Sequence, residues 1–215
     1  MEGESGTSPC RRTQLASLCR RGFRKLIYRR TVMARYEVKA GESRAPGEAC
    51  PYEVRVLDDH ELDLVAGSNP HLSREDLEDL RQQTSSCLVV LDGDRVAASS
   101  WLTHGRVRVH ELERVVHVPP GEHFSCRSYV DPEYRGRSLH RHMLHAKALQ
   151  VPPEHTLWCL VYDWNVASIR SLEAAGWRRS GRCWTRFLFT RRTEGHELMP
   201  VTADPPGQGT RRRAH

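Results

Sequence analysis

The sequence lacks any apolar run of about eighteen residues, so we expect neither a membrane-spanning helix nor a secretory signal segment. Its seven cysteines are odd in number, widely scattered, and never form a Cys-x-x-Cys pair. A disulfide framework and a structural zinc site are therefore not expected, and a reducing cytoplasm is the compartment that fits best. Lysine is also scarce, since only Lys25, Lys39 and Lys147 among the 33 basic residues are not arginine.

Positive charge is concentrated toward the N-terminal end. The 215 residues carry a net charge of +6, and residues 1–48 hold eleven basic residues against five acidic ones. That leaves 22 of the 33 basic and 22 of the 27 acidic residues for the rest, which is balanced. Length and composition together predict a basic arm over 1–48, one folded domain over 49–190, and a disordered polar tail over 191–215.

The arm contains a basic amphipathic pattern from Gln14 to about Arg35. Its apolar residues recur at helical spacing, and arginines crowd the opposite face. We expect a helix there, followed by a linker over 40–51. The helix suits peripheral contact with an anionic membrane surface or RNA, although nucleic acid is not expected as the main partner. Docking on the domain is the alternative, and Met33 is an alternative start of translation. The apolar positions are Leu15, Leu18, Cys19, Phe23, Leu26 and Ile27.

The body alternates predicted strands and helices, which indicates a mixed α/β sheet. Thr156 to Tyr162 is continuously apolar, as is typical of a strand buried on both faces. The strand–helix–strand–helix order over 123–176 implies one parallel strand pair within an otherwise antiparallel sheet. The predicted strands are 52–57, 87–91, 95–102, 106–118, 123–130 and 156–162, with a final hairpin over 177–182 and 184–189. The predicted helices are 59–66, one capped by Ser73, 137–150 and 165–175.

A basic loop joins the predicted strand 123–130 to the helix that follows it. The segment from Val130 to His140 reads VDPEYRGRSLH, and Pro132 and Gly136 punctuate it. A loop of this kind at a helix N-terminus gathers free backbone N–H groups and a positive dipole end, which are the groups that hold a phosphate. An ordinary connection with solvated arginines is the alternative interpretation.

A second motif reads NVASIRSLEAAGW from Asn165 to Trp177. Together with VDPEYRGRSLHRHML it resembles the GNAT acetyltransferase superfamily, the acyl-CoA-dependent N-acyltransferases, over roughly residues 52–189. The resemblance implies a mixed, mostly antiparallel twisted sheet with a parallel strand pair splayed around the cofactor and flanking helices. It also implies acetyl-CoA or another acyl-CoA as co-substrate, and direct attack on the thioester by a small-molecule or peptide amine.

The resemblance assigns the cofactor to the loop and the strands around it. Backbone groups of the preceding strand would hold the pantetheine arm, and the loop would hold the pyrophosphate. Asn165 would bond the arm from the other wall, while a helix N-cap is its alternative role. Ser138 and His140 replace two loop glycines of the family, so a catalytically silent CoA-binding or regulatory module is an alternative function. The implied cofactor residues are Ser128, Val130, Arg135, Gly136, Arg137, Ser138, Leu139, His140, Asn165 and Ser168.

The general base is not evident from the family pattern. The strand face where the family often carries a base presents Phe124, Cys126 and Ser128, and none of these is a carboxylate. Glu111 and Glu113 lie on the preceding charged strand and alternate onto one face, so they are the candidate bases. A solvated strand face is their alternative.

The remaining catalytic and metal signals are weaker. Leu172 stands where the family commonly has a tyrosine acid. Cys126 is a conceivable acyl-transfer nucleophile, without an assigned histidine partner. No metal site is expected, because no carboxylate completes a ligand set with His140, His142 and His145.

Overall fold

A computed structural model describes residues 28–83, 85–188 and 191–198. Within these ranges it has ten strands, four α-helices and short 3-10 turns. The strands are β1 (Tyr28–Lys39), β2 (Glu53–Leu57), β3 (Ser85–Asp92), β4 (Arg95–Thr103), β5 (Gly105–Val109), β6 (Arg114–Val118), β7 (Glu122–Val130), β8 (Thr156–Val161), β9 (Arg178–Leu188) and β10 (Arg191–Leu198). The helices are α1 (Asp63–Ser68), α2 (Arg74–Gln82), α3 (Leu139–Ala148) and α4 (Val166–Ala174).

Eight of the strands form one sheet in the order β10-β9-β1-β8-β7-β4-β3-β2, and β5 and β6 form a separate hairpin. Every neighbouring pair in the large sheet is antiparallel except β7 and β8, which are parallel. This arrangement confirms the predicted mixed, mostly antiparallel sheet with flanking helices. Among the described helices, none is long and apolar enough to cross a membrane.

The parallel pair separates after a short contact. Pairing between β7 and β8 ends at Phe124 and Trp158, and both strands continue beyond that point without each other. The register between β4 and β7 shifts near this separation, where Arg127 has a φ of 51°. Such a bulge bends a strand away from its neighbour. The two strands therefore diverge into a V, and α3 and α4 follow its two arms.

Local capping explains where the helices around this V begin and end. Ser73 and Asp76 form a reciprocal capping box at α2, as the sequence predicts. The Asn165 side chain caps α4 by accepting from the Ser168 N–H at 3.2 Å. Gly176 ends α4 at a φ of 89°, and a Cβ there would lie 3.1 Å from the Glu42 carbonyl oxygen. A side chain at Gly176 would therefore strain the backbone and crowd the Glu42 carbonyl oxygen.

The predicted helix to Arg35 and the domain start at residue 49 are wrong over the described part of the arm. Residues 28–39 form β1, which lies inside the sheet and pairs with both β8 and β9. Ala34, Tyr36 and Val38 alternate into the core, and pairing with β8 on one side and β9 on the other outweighs the helical spacing. Residues 1–27, with most of the predicted amphipathic helix, lie outside the described residues.

The C-terminal predictions need a similar correction. Residues 178–188 form one continuous strand, β9, because β1 pairs with it along its length and removes the need for a hairpin. The predicted tail begins as β10, which pairs antiparallel with β9 from Arg191 to Leu198. Its described residues are mostly exposed, which is why their composition resembles a tail. Residues 199–215 lie outside the described part of the chain.

The predicted single strand over 106–118 is a hairpin. A 3-10 turn at His110–Leu112 separates β5 from β6, and Glu113 follows it at a φ of 50°. Leu112 is completely buried, and its carbonyl accepts a hydrogen bond from Thr185 Oγ1 at 2.7 Å. Burial of Leu112 therefore fixes the turn, and the two glutamates do not share a strand face.

Candidate functional site

The V between β7 and β8 opens into a cleft of about 400 Å³. A second hollow of about 650 Å³ continues from it along the loop before α3. Both share Ser128, Tyr129, His140, Asn165 and Ser168 in their walls. The two motifs that the sequence singles out thus meet at one groove.

The loop presents a run of unpaired backbone donors. Gly136 and Ser138 both have positive φ, at 80° and 58°, and α3 begins directly after them. Within the described part of the chain, no group accepts a hydrogen bond from the backbone N–H of any residue from 136 to 140. Ser138 thus reproduces the left-handed conformation that glycine favours, although a side chain in it costs roughly 1–3 kcal/mol. The arrangement is a concave anion site at a helix N-terminus.

Two arginines line this end of the groove. Arg135 is exposed, and Arg141, in the first turn of α3, has a buried Nε without a partner among the described atoms. The sequence motifs do not point to Arg141, although its i+3 spacing from Ser138 places it on the same side of the helix start. Arg137 points elsewhere, since its guanidinium donates to the Tyr52 hydroxyl and stacks 5.2 Å from the centre of the Tyr134 ring. Only its backbone is left for an anion.

The histidine in the first turn of α3, His140, lines the groove as a neutral group. Burial, with a smaller effect from the charge of Lys147, lowers the pKa of His140 to about 4. His140 therefore presents an uncharged imidazole to the cleft at neutral pH. Leu139 also lines the hollow beside the loop, but it is 2% exposed and packs mainly into the core. Among the described residues, no three His, Cys, Asp or Glu side chains are grouped as a metal ion requires.

The other residues implied in cofactor binding lie in the walls of the two hollows. Ser128 lines both hollows, and Val130 lines the one beside the loop. Asn165 uses its Oδ1 as the cap of α4, and its amide nitrogen makes no hydrogen bond with the described residues. One side chain is therefore arranged to cap a helix and to donate into the groove.

The far end of the cleft carries carboxylates. Glu111 lines the cleft and a smaller adjoining hollow, where Asp76 and Asp79 also lie. Glu113 lines neither space, and its left-handed backbone turns it away from Glu111. The structure thus brings one of the two candidate bases to the cleft.

Cys126 also lines the cleft, but its thiol is not activated. Burial raises the pKa of Cys126 to about 11, although the nearby charges of Lys147 and Arg127 act to lower it. A nucleophilic cysteine needs a lowered pKa. Burial of the Cys126 thiol therefore argues against a nucleophilic role.

Tyr162, directly after β8, is a further residue of the cleft that the sequence motifs do not predict. Tyr162 lines the cleft and stacks on Trp164 with ring centres 4.9 Å apart. Burial, and then the charge of Glu111, raises the pKa of its phenol, so Tyr162 stays protonated at neutral pH. Leu172, at the family's tyrosine position, is 2% exposed and packs in the core.

A buried carboxylate fixes the bulge of β7. Asp76 accepts from Arg127 Nη2 at 2.7 Å, lies 3.3 Å from His110 Nε2, and accepts from Ser73 at the start of α2. Burial acts to raise the pKa of Asp76, but the hydrogen bonds of Ser73 and the charge of Arg127 outweigh it and lower the pKa. Asp76 thus joins α2, the turn after β5 and the bulge.

No protein-family model and no curated protein matches the chain. Solved structures do match. A GCN5-related N-acetyltransferase from Kribbella flavida aligns at a TM-score of 0.51 and 10% identity, covering 80% of this chain and 62% of that one. A tandem GNAT protein from the clavulanic acid biosynthesis pathway aligns at 0.53 and 11%, covering 90% and 61%. A functionally unknown conserved protein from Staphylococcus epidermidis aligns at 0.57 and 7%, covering 85% and 68%.

These likenesses concern the path of the backbone. The chain has the GNAT fold, as its two motifs predict. It spans 62% and 61% of the lengths of the two acetyltransferase-fold structures above. Identities of 10% and 11% show the fold and leave activity to be argued from the site.

Proposed function

We propose that this chain, which has the GNAT fold, is an N-acyltransferase that moves an acyl group, most simply acetyl, from acyl-CoA to an amine by direct attack on the thioester. The observation that carries the proposal is the groove that joins the V to the unpaired N–H groups of residues 136–140. The pyrophosphate of CoA would bind these donors with Arg135 and Arg141. The pantetheine amides would pair with the diverging backbone of β7.

The acceptor end of the cleft suits a cationic amine. Glu111 lines it, Asp79 lines the adjoining smaller hollow, and neither carboxylate forms an ion pair with another described residue. Carboxylates in and beside a cleft attract a protonated amine. Glu111 would then take the proton of the amine, directly or through a water, and Tyr162 would protonate the departing thiolate. The acceptor is therefore a small-molecule or peptide amine, and the base assignment moves to Glu111 alone.

A silent CoA-binding module is the second candidate function. Three observations favour it: the side chain of Ser138 in a strained loop conformation, His140 in the groove, and Leu172 buried where the family has an acid. Such a module would bind CoA without releasing thiol.

Thiol release from acetyl-CoA with a panel of amines tests the proposal. We expect release that depends on the amine, and a KM for acetyl-CoA raised by at least about tenfold in the Arg135→Ala/Arg141→Ala double variant, because each charged hydrogen bond contributes roughly 1.5–3 kcal/mol. Arg106→Ala is the matched control, since this exposed arginine lies on β5 and lines neither hollow.

The outcomes separate the two functions. CoA binding without thiol release for any amine would favour the silent module. If CoA does not raise the melting temperature and no thiol is released, both functions are refuted.

A further inference from the structure

A lysine with no acidic partner among the described residues is buried beneath the cleft. Lys147, on α3, is fully buried, and its ammonium donates to Ser125 Oγ at 2.7 Å and to Ser100 Oγ. The ionisable groups that affect the pKa of Lys147 are thiols, and no described carboxylate pairs with its ammonium. A buried cation without a counter-charge is costly. Its position in the core is therefore not explained by packing.

Ser100 connects this lysine to the cleft. The hydroxyl oxygens of Ser100 and Ser128 are 2.5 Å apart, with Ser100 completely buried and Ser128 exposed in both hollows. Ser100 lies on β4 where the register with β7 shifts, so the bulge sets the two hydroxyls against each other. A continuous chain of hydrogen bonds thus runs from Lys147 to the surface of the groove.

We infer that Lys147 and Ser100 form a proton relay that makes Ser128 a nucleophile toward the thioester, so that the chain hydrolyses acyl-CoA when no amine acceptor is bound. A serine activated by a lysine is an established chemical solution to acyl transfer. The inference rests on the proposed function for one point, the delivery of acyl-CoA to the cleft.

The reaction balances in two steps. Ser128 Oγ forms a bond to the thioester carbon while its proton passes to Ser100 and the proton of Ser100 passes to the neutral amine of Lys147. The C–S bond breaks, and the CoA thiolate takes a proton from solvent after release. Water then attacks the acyl-serine ester and loses a proton to solvent. The C–O bond breaks, and Lys147 returns its proton through Ser100 to Ser128, which leaves a carboxylic acid.

The surroundings of Lys147 keep a usable fraction of neutral amine. Burial lowers the pKa of Lys147 to about 8. The groups that face it are the thiols of Cys87, Cys126 and Cys159, whose pKa values burial raises to about 12, 11 and 12, and the neutral imidazole of His140. None of these carries a charge at neutral pH. Acylation of Ser128 should therefore accelerate as pH rises through about 8.

A purely structural role for the network makes a different prediction. If the hydroxyls of Ser100, Ser125 and Ser128 only stabilised the buried ammonium, their loss would change stability, but Ser128 would never carry an acyl group. We therefore propose to incubate the full chain with acetyl-CoA, and separately with p-nitrophenyl acetate, without any amine. Intact-mass measurement and peptide mapping then locate the acetyl group.

We expect one acetyl group on Ser128, accompanied by thiol release from acetyl-CoA. Ser128→Ala should lose both, and Ser128→Cys should regain the adduct. Lys147→Met should slow acylation by about 100-fold or more and remove its rise with pH. Ser86→Ala is the matched control, because that hydroxyl bonds the Gln150 side chain at the surface.

Three results are decisive. If acetyl-CoA binds and the wild-type chain acquires no acetyl group on Ser128 from either reagent, the relay is refuted and the proposed function stands. If p-nitrophenyl acetate acylates Ser128 but CoA fails to bind, the relay holds and the proposed function fails. An adduct on another residue that survives Ser128→Ala also refutes the relay.

Discussion

Replacing Asp76 with alanine is expected to lower the free energy of unfolding by about 4 kcal/mol, because breaking a buried ion pair costs roughly 3–5 kcal/mol. The Asp76 side chain is 10% exposed, and its carboxylate contacts Arg127 and His110 and accepts the capping hydrogen bonds of Ser73. Its loss leaves the Arg127 guanidinium without its partner at the bulge. Urea unfolding measures the change.

The same carboxylate predicts an acid dependence. The folded-state pKa of Asp76 is below its unfolded value, so its contribution is fully present above the unfolded value of about 3.9 and is lost as pH falls below it. The stability difference between wild type and Asp76→Ala should therefore shrink below about pH 4.

A matched substitution on the same helix controls for the change of residue. Glu78 is exposed on α2, and among the described residues its carboxylate bonds only the Gln82 amide, so Glu78→Ala should change stability by no more than about 0.5 kcal/mol. Equal effects of the two substitutions would contradict the role given to Asp76 at the bulge.

Replacing Lys147 with methionine is expected to stabilise the chain by about 3 kcal/mol at pH 7, since a pKa of about 8 instead of 10.5 corresponds to that much free energy at roughly 1.4 kcal/mol per unit. Methionine fills similar space without a charge. A gain in stability with a loss of Ser128 acylation is the signature of a group retained for function.

The gain should depend on pH in a defined direction. The folded-state pKa of Lys147 is lowered, so the folded chain binds fewer protons and the cost of the lysine disappears as pH rises from about 8 to 10.5. The raised pKa values of Cys87, Cys126 and Cys159 act in the opposite direction at alkaline pH, but both proteins carry these thiols. The largest part of their effect, which is due to burial, therefore cancels in the difference, and only the smaller part due to the charge of Lys147 remains.

Thermal and urea unfolding at pH 7 and at higher pH test this expectation. The control is Lys39→Met, because Lys39 is exposed and, within the described part of the chain, bonds only the Glu154 carbonyl. Lys39→Met should change the free energy of unfolding by no more than about 0.5 kcal/mol, and its difference from wild type should not change with pH. If the Lys147→Met protein is instead less stable than wild type, the hydrogen bonds of Lys147 to Ser100 and Ser125 stabilise the fold by more than burial of the charge costs, and the expectation is wrong.

The sequence predicts the parts of the fold that have short-range signals. The apolar run from Thr156 reports burial on both faces, and β8 has it. Ser73 with Asp76, and Asn165 with Ser168, place two helix starts through capping chemistry alone. The anion-binding character of the loop before α3 is predicted from its glycine, its arginines and its position between a strand and a helix.

Features that depend on a distant partner escaped prediction. β1 is a strand because β8 and β9 leave a slot for it, and no local pattern reports that slot. Lys147 reads as an ordinary polar residue of α3 until β4 and β7 bring Ser100 and Ser125 to it. Arg141 and Tyr162 enter the groove for the same reason, through the meeting of elements far apart in the chain.

The central claim is that the groove holds CoA, with its pyrophosphate on the backbone donors of residues 136–140. Amide chemical shifts of the ¹⁵N-labelled chain, followed by NMR during titration with CoA, test it most directly. We expect the largest shifts at the amides from Gly136 to His140 and at Ser128 to Val130, with few changes on the β5–β6 hairpin. Unchanged loop amides at saturating CoA, or shifts confined to other surfaces, would contradict the account.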